Sequence, residues 1–144
     1  STSKDAHEFL KLSYRHIVHK QEFVDMWRKQ NLDVLICPGF GAQALKHGLS
    51  QDCTLAAGYT FIWNMLETPT GNLPITKVQA DEEIYHQTFN DPINEGLSQN
   101  ARGSAGLPVG IQVVGMPYQD ERVLGVMRLI EHLFPFYQQN SFPK

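Results

Sequence analysis

Apolar positions along the chain are densest between residues 106 and 115, GLPVGIQVVG. There Gln112 is the one polar side chain between Leu107 and Val114. β-Branched residues dominate its second half: Val109, Ile111, Val113 and Val114. A short run that is apolar at successive positions and bounded by glycines predicts a strand covered on both faces. Gly110 marks a point where a neighbouring backbone or a ligand comes close. After the turn Met116-Pro117-Tyr118 the period changes. Val123, Met127, Ile130 and Phe134 recur at helical spacing, which predicts a helix with one apolar face and Asp120 as its N-cap. A two-sided strand feeding an amphipathic helix is a unit of an α/β sandwich.

The same reading orders the rest of the chain. Leu10, Tyr14, Ile17, Val24 and Trp27 form one stripe, predicting a helix over 5–30 with Asp5 and Glu8 as a capping pair. Residues 32–37, LDVLIC, predict a strand that breaks at Pro38, Gly39 and Gly41. A loop at that strand's C-terminal edge is where open α/β sheets bind ligands. Residues 43–50 read as loop. A second helix is expected over 51–66, with Leu55, Gly58, Tyr59, Ile62, Met65 and Leu66 as its apolar face. A turn at 68–72 leads into a strand over 73–78, and Pro74 places that strand near an edge or bulge. Asp81, Glu82 and Glu83 read as a solvated turn. Asp91-Pro92 predicts an N-cap and first helical residue, opening a short helix to Ala101 with Ile93 and Leu97 turned inward. The class is therefore α/β, with about three strands and four helices.

Composition narrows the partners. A chain of 144 residues with 42% apolar residues is long enough to bury a core and fits one unit, 1–144, without an internal boundary. Its formal charge is -3 and it has no basic stripe, which argues against nucleic acid. No apolar run approaches the ~18 residues of a membrane span, and no signal peptide is visible. Two cysteines do not make a disulfide framework, so an intracellular setting is expected.

Candidate chemistry is sparse. Cys37 ends a strand beside a glycine turn, the setting of a cysteine nucleophile, but nothing else marks an activated thiolate, and a small buried hydrophobe at a strand end is the expected reading. His16 and His19 are three apart on one helix, but two histidines without the acid of a zincin helix do not define a metal site. Ser104 lacks the glycine two residues before it that a nucleophile elbow requires, since Arg102 stands there, and a strand follows it rather than a helix. No catalytic residue, metal ligand or cofactor site is read from the spacing. The apolar helix over 55–66 is the segment best suited to line a pocket.

Several stretches taken together carry a resemblance. EFVDMWRKQNLDVLICPGFG, AAGYTFIWNMLETPTGNLPIT, the neighbourhood of Tyr85 to Phe89, and GLPVGIQVVG are similar, in that order and spacing, to the C-terminal portion of the amidase signature family. Within it they most resemble the fatty acid amide hydrolase branch. Thr70 stands in place of the usual small alanine, and Asn72 and Leu73 in place of a pair of valines.

The resemblance implies an α/β/α sandwich around a mixed sheet, of which this chain is a C-terminal segment. It implies a parent that hydrolyses fatty acid amides through a Ser-cisSer-Lys triad, with no cofactor. The glycine- and serine-rich signature and the lysine have no counterpart here, so the isolated chain is expected to be inactive. The implied contribution is sheet core and acyl-channel wall, with Ala57, Phe61, Phe89 and Ile93 in substrate-binding positions. Implied partners are a fatty acid amide-like small molecule and the N-terminal portion of the same enzyme. Membrane association of the parent is left open. The competing expectation is a non-catalytic α/β module that binds an apolar ligand or partner. Upstream sequence with a serine motif and a lysine would discriminate the two.

Overall fold

The computed structural model describes residues 5–51, 53–86 and 89–140, the side chain of Leu55 excepted. Its elements follow in order as α1 (Ala6–Lys29), β1 (Leu35–Pro38), a 3-10 turn (Thr54–Ala57), α2 (Gly58–Leu66), β2 (Thr70–Lys77), α3 (Pro92–Ala101), β3 (Pro108–Val114), α4 (Asp120–Leu133) and α5 (Phe136–Gln139).

β3 is the centre of a three-stranded sheet of order β1-β3-β2, with both neighbours antiparallel to it. Residues directly opposed across an antiparallel pair share a face. Leu35, Val114 and Thr70 therefore point one way, as do Cys37, Gln112 and Asn72 one step along. Val114 on that face packs with Trp63 and Leu66 of α2 and with Phe23 of α1. On the opposite face Val113 packs with Leu73 and with Val123 and Ile130 of α4. Successive valines at 0% exposure thus feed two separate clusters, as the continuous apolar run predicts. Burial of this kind stabilises by about 1.5–3 kcal/mol per side chain. Only the second half of the strand is covered in this way, since Pro108 and Val109 are exposed.

Two caps behave as the sequence predicts. Asp5 accepts from the Glu8 N–H at 2.8 Å. Asp91 accepts from Ile93 N and Asn94 N, with Pro92 as the first helical residue. β2 is an edge strand with an irregularity between Pro74 and Thr76, where proline pointed to one.

Elsewhere the structure corrects the pattern. The N-cap of α4 is Gln119, whose side chain makes no capping bond, and Asp120 is already in the first turn. The second helix is not continuous over 51–66: a 3-10 turn precedes α2, and residue 52 lies outside the described residues. β1 starts three residues later than expected, and β2 takes in Thr70 to Asn72, because pairing with β3 extends it through the turn-like sequence. Of the α1 stripe, Trp27 is buried, whereas Leu10, Tyr14 and Ile17 are exposed. Tyr59, Ile62 and Met65 of α2 are exposed as well, and Trp63 and Leu66 face the sheet instead. Phe134 is exposed, and its place against the body is taken by Phe136 on α5, a helix the periodicity does not reveal.

The fit between β3 and α4 leaves no room at Gly115. A Cβ there would lie 2.6 Å from Val123 Cγ2, a branched side chain held in the core. Gly115→Ala is expected to destabilise the fold by about 1–3 kcal/mol through overpacking. Urea titration of the two proteins checks it, and an unchanged midpoint would refute the close fit.

Candidate functional site

The first half of β3 and the two edge strands frame a cleft on the α2 side of the sheet. Beyond Pro38 the chain leaves β1 as the loop 39–46, while β3 continues through Gly110 to Pro108. Between this loop and the segment 78–86 lies an open cleft of about 840 Å3, with Phe40, Gln43, Asn72, Tyr85 and Gly110 among its walls. Gly110 does sit where close approach is needed. A Cβ there would lie 3.0 Å from both Asn72 Oδ1 and Leu73 O, and one at Gly39 would lie 2.8 Å from Asn72 Oδ1. A second cleft of about 590 Å3 separates α2 from α3, lined by Tyr59, Ile62, Trp63, Ile93 and Leu97, and it shares Gly41 and Tyr85 with the first.

Buried amides hold these walls. Gln112, 4% exposed, donates through Nε2 to Pro38 O at 2.8 Å and to Tyr59 O at 3.1 Å. One side chain thereby ties the central strand to the end of β1 and the start of α2. Asn100, 1% exposed on α3, accepts from Lys46 N at 2.9 Å and donates to Ala44 O at 3.2 Å, which pins the loop 39–46 to α3. Lys46 Nζ in turn donates to Arg102 O at 2.9 Å, satisfying the end of that helix. Glu83, expected to be solvated, accepts from Ala105 N at 2.7 Å and anchors the far wall. Tyr85 OH lies 3.3 Å from Asn94 Oδ1, joining that wall to the first turn of α3.

The sequence-predicted substrate residues are dispersed. Ile93 lines the cleft between α2 and α3. Ala57 ends the 3-10 turn, half-buried, and its carbonyl accepts from Thr60 Oγ1 at 2.7 Å. Phe61 and Phe89 are exposed and are not among the walls of that cleft, where Ala56, Tyr59 and Ile62 stand instead. Residues 87 and 88, within the neighbourhood that carries part of the resemblance, lie outside the described residues.

The remaining candidates take structural positions. Ser104 is buried and its Oγ donates to Ala101 O at 2.6 Å. Burial pushes the Cys37 thiol up, opposed more weakly by the Trp63 indole, a direction that disfavours a nucleophilic thiolate. His16 bonds to the Met65 carbonyl and His19 pairs with Glu22. Among the described residues no three His, Cys, Asp or Glu side chains come together as a metal site. No described helix is long and apolar enough to cross a membrane. Sequence reasoning missed Gln112 and Asn100 as supports. The signal for Gln112 was its isolation in an apolar run, whereas Asn100 sits in a polar stretch that does not distinguish it.

Comparison with known proteins adds the family. Residues 1–124 match the family model described as Amidase, and the chain belongs to that family. Fatty acid amide hydrolase 1 of Caenorhabditis elegans is 34% identical over 135 residues, covering 91% of this chain and 23% of that protein. Fatty-acid amide hydrolase 1 of Sus scrofa is 35% identical over 132 residues, covering 89% of this chain and 22% of that protein. A solved structure of a fatty acid amide hydrolase superposes with a TM-score of 0.69 at 21% identity, covering 91% of this chain and 24% of that one. The α/β architecture is thus that of the amidase fold, and the chain spans about a quarter of the length of these relatives.

The Asp91 cap gives the site a pH dependence. The Asn94 backbone N–H, with the Asn94 side chain and the Ile93 N–H, holds the Asp91 carboxyl below its ordinary range. A carboxylate whose folded pKa is lowered contributes stability above its unfolded pKa, and that contribution is lost as pH falls through the folded value. The first turn of α3 is therefore expected to loosen below the usual aspartate range. Amide exchange at Ile93 and Asn94 checks this, and in Asp91→Asn the acid-dependent part should vanish.

Proposed function

We propose that the chain is the C-terminal segment of an amidase of the fatty acid amide hydrolase type. In this reading it supplies sheet core and part of the acyl-channel wall to an enzyme that cleaves fatty acid amides to fatty acid and amine. The observation that carries the reading is the match of about nine-tenths of this chain, at 34% and 35% identity, to fatty acid amide hydrolases of two animals. The fold that 91% of the chain shares with a solved fatty acid amide hydrolase supports it.

The division of labour follows from the residues. Amide hydrolysis needs an activated nucleophile, a base and donors for the oxyanion. Burial pushes the Cys37 thiol up, against a nucleophilic thiolate, and Ser104 Oγ donates to the Ala101 carbonyl, so in this reading neither is the nucleophile. The serines and lysine of the reaction belong, in this reading, to the portion of the enzyme before this segment. What these 144 residues offer a substrate is apolar surface. Ile93, Tyr59 and Ile62 line a ready cleft. Phe61 stands on the outward side of α2, and becomes a channel wall when the rest of the enzyme closes over it. Ala57 is the small residue beside it at the head of the helix, and Phe89 with Ile93 stands at the access end.

Two measurements test the reading. The purified 144-residue protein is expected not to hydrolyse oleamide, and turnover abolished by a serine-directed fluorophosphonate would overturn that division. In the full-length amidase containing this segment, Phe61→Ala is expected to shift the ratio of specificity constants for long against short acyl amides. One apolar contact is worth about 1–3 kcal/mol between competing substrates. An equal loss for every acyl length would assign Phe61 to packing.

A further inference from the structure

Two carboxamides stand side by side in one row of the sheet, and the fold uses only one of them. Asn72 of β2 is directly opposite Gln112 of β3, so both side chains rise from the same face. The Gln112 amide is buried and donates to the Pro38 and Tyr59 carbonyls. Asn72 is exposed, and among the described residues its carboxamide has no hydrogen-bond partner. Asparagine is depleted in strands, where β-branched residues pack better. A residue that goes against local preference and adds no contact to the fold is expected at a functional or strained site. Strain is not the reason here, since Asn72 is not among the residues with positive φ.

The surroundings are shaped to this carboxamide. A Cβ at Gly39 would lie 2.8 Å from Asn72 Oδ1, and one at Gly110 would lie 3.0 Å from it, so glycine at both positions keeps the slot open. The amide is thereby held between β3 and the loop after β1, in the wall of the cleft of about 840 Å3. Asp81 and Glu82 line the same cleft, and its described walls include no lysine or arginine. Glu82 Oε2 accepts from Gln79 N at 2.8 Å, which fixes that carboxylate in place. A cleft lined by one sign of charge concentrates the opposite sign. The apolar cleft between α2 and α3 joins this one at Gly41 and Tyr85, which line both.

We infer that Asn72 is a specificity residue for the amine side of an amide substrate, and that the amines it selects carry a cationic, hydrogen-bond-donating head. This inference rests on the functional reading above and adds to it the half of the substrate that lies beyond the acyl chain. A chain lying along α2 and α3 brings the nitrogen side of its amide to the shared wall at Gly41 and Tyr85, facing the larger cleft. There Asn72 Oδ1 accepts an N–H of the head, while Asp81 and Glu82 attract its charge. An ammonium has three donors and no acceptor, which suits a wall of oxygens. A carboxylate head is repelled by the same wall, and an alkyl head displaces water from the Asn72 amide without replacing its hydrogen bonds. A site that hydrogen-bonds a substrate group rejects the analogue lacking it far more strongly than an apolar pocket rejects one methylene.

The test uses the full-length amidase containing this segment and three oleoyl amides that differ only in the amine: an aminoethyl, a propyl and a carboxymethyl head. The specificity constant for the aminoethyl amide is expected to exceed that for the propyl amide by about tenfold or more, with the carboxymethyl amide lowest. In Asn72→Leu the ratio of aminoethyl to propyl is expected to fall by about fivefold or more. In Asn72→Asp, which keeps the acceptor oxygen, the ratio is expected to be retained or raised. Circular dichroism verifies that each variant keeps its helix content. Equal constants for the aminoethyl and propyl heads, or a ratio unchanged in a folded Asn72→Leu, overturn the inference and leave the functional reading standing. A carboxymethyl amide cleaved as fast as the aminoethyl one overturns it whether or not Asn72→Leu folds. If oleamide and all three amides resist hydrolysis, the functional reading falls, and equilibrium dialysis of the same amides against the same protein decides the inference. Tighter binding of the aminoethyl amide, lost in Asn72→Leu, upholds it, and equal binding of the three heads overturns it.

Discussion

The structure depends on a single central strand that is covered from two sides at once. β3 pairs with both other strands, and its adjacent Val113 and Val114 enter two different hydrophobic clusters. α2 with the end of α1 forms one layer, and α4 forms the other. Gln112, next in line, is the point where this arrangement admits a polar group. Its amide is accepted only because the Pro38 and Tyr59 carbonyls meet it inside the protein. An unpaired buried amide would cost about 1–3 kcal/mol, so the position of α2 over the sheet and the chemistry of residue 112 constrain each other.

The clefts are a consequence of that constraint. Because β1 ends at Pro38 while β3 runs on to Pro108, the sheet is one strand narrower at that end, and a loop takes the place of ladder pairing. Loop backbone needs partners, and Asn100 and Lys46 provide them from α3. The first cleft is thus walled largely by loop segments held through side-chain amides, whereas the second lies between the helices α2 and α3. They are placed by α3, whose own start is fixed by Asp91.

The chain spans about a quarter of its relatives' length, and on α1 and α2 it presents large apolar residues that are about half exposed or more. The α4 side differs: Val123 and Ile130 find their partners within the sheet, and Gly115 shows how tight that contact is. Both helical layers nonetheless carry large exposed apolar residues, Leu124, Leu129 and Leu133 on α4 among them.

Local signals in the sequence determined the elements and their order. The two-sided strand, the caps at Asp5 and Asp91 and the irregularity at Pro74 follow from interactions between near neighbours along the chain, which composition and spacing encode directly. The resemblance carried by the order of short motifs reached the amidase family. Tertiary structure decided which helical faces are buried. A stripe such as Leu10, Tyr14 and Ile17 states that a surface is apolar, but burial depends on whether another element arrives to cover it. It also decided the extent of β2, where pairing with β3 prevailed over turn propensity, and the replacement of Phe134 by Phe136 in the core. Likewise Gln112 was visible as an oddity in an apolar run, yet its role rests on carbonyls 53 and 74 residues away along the chain, and only the folded chain brings them within hydrogen-bonding distance.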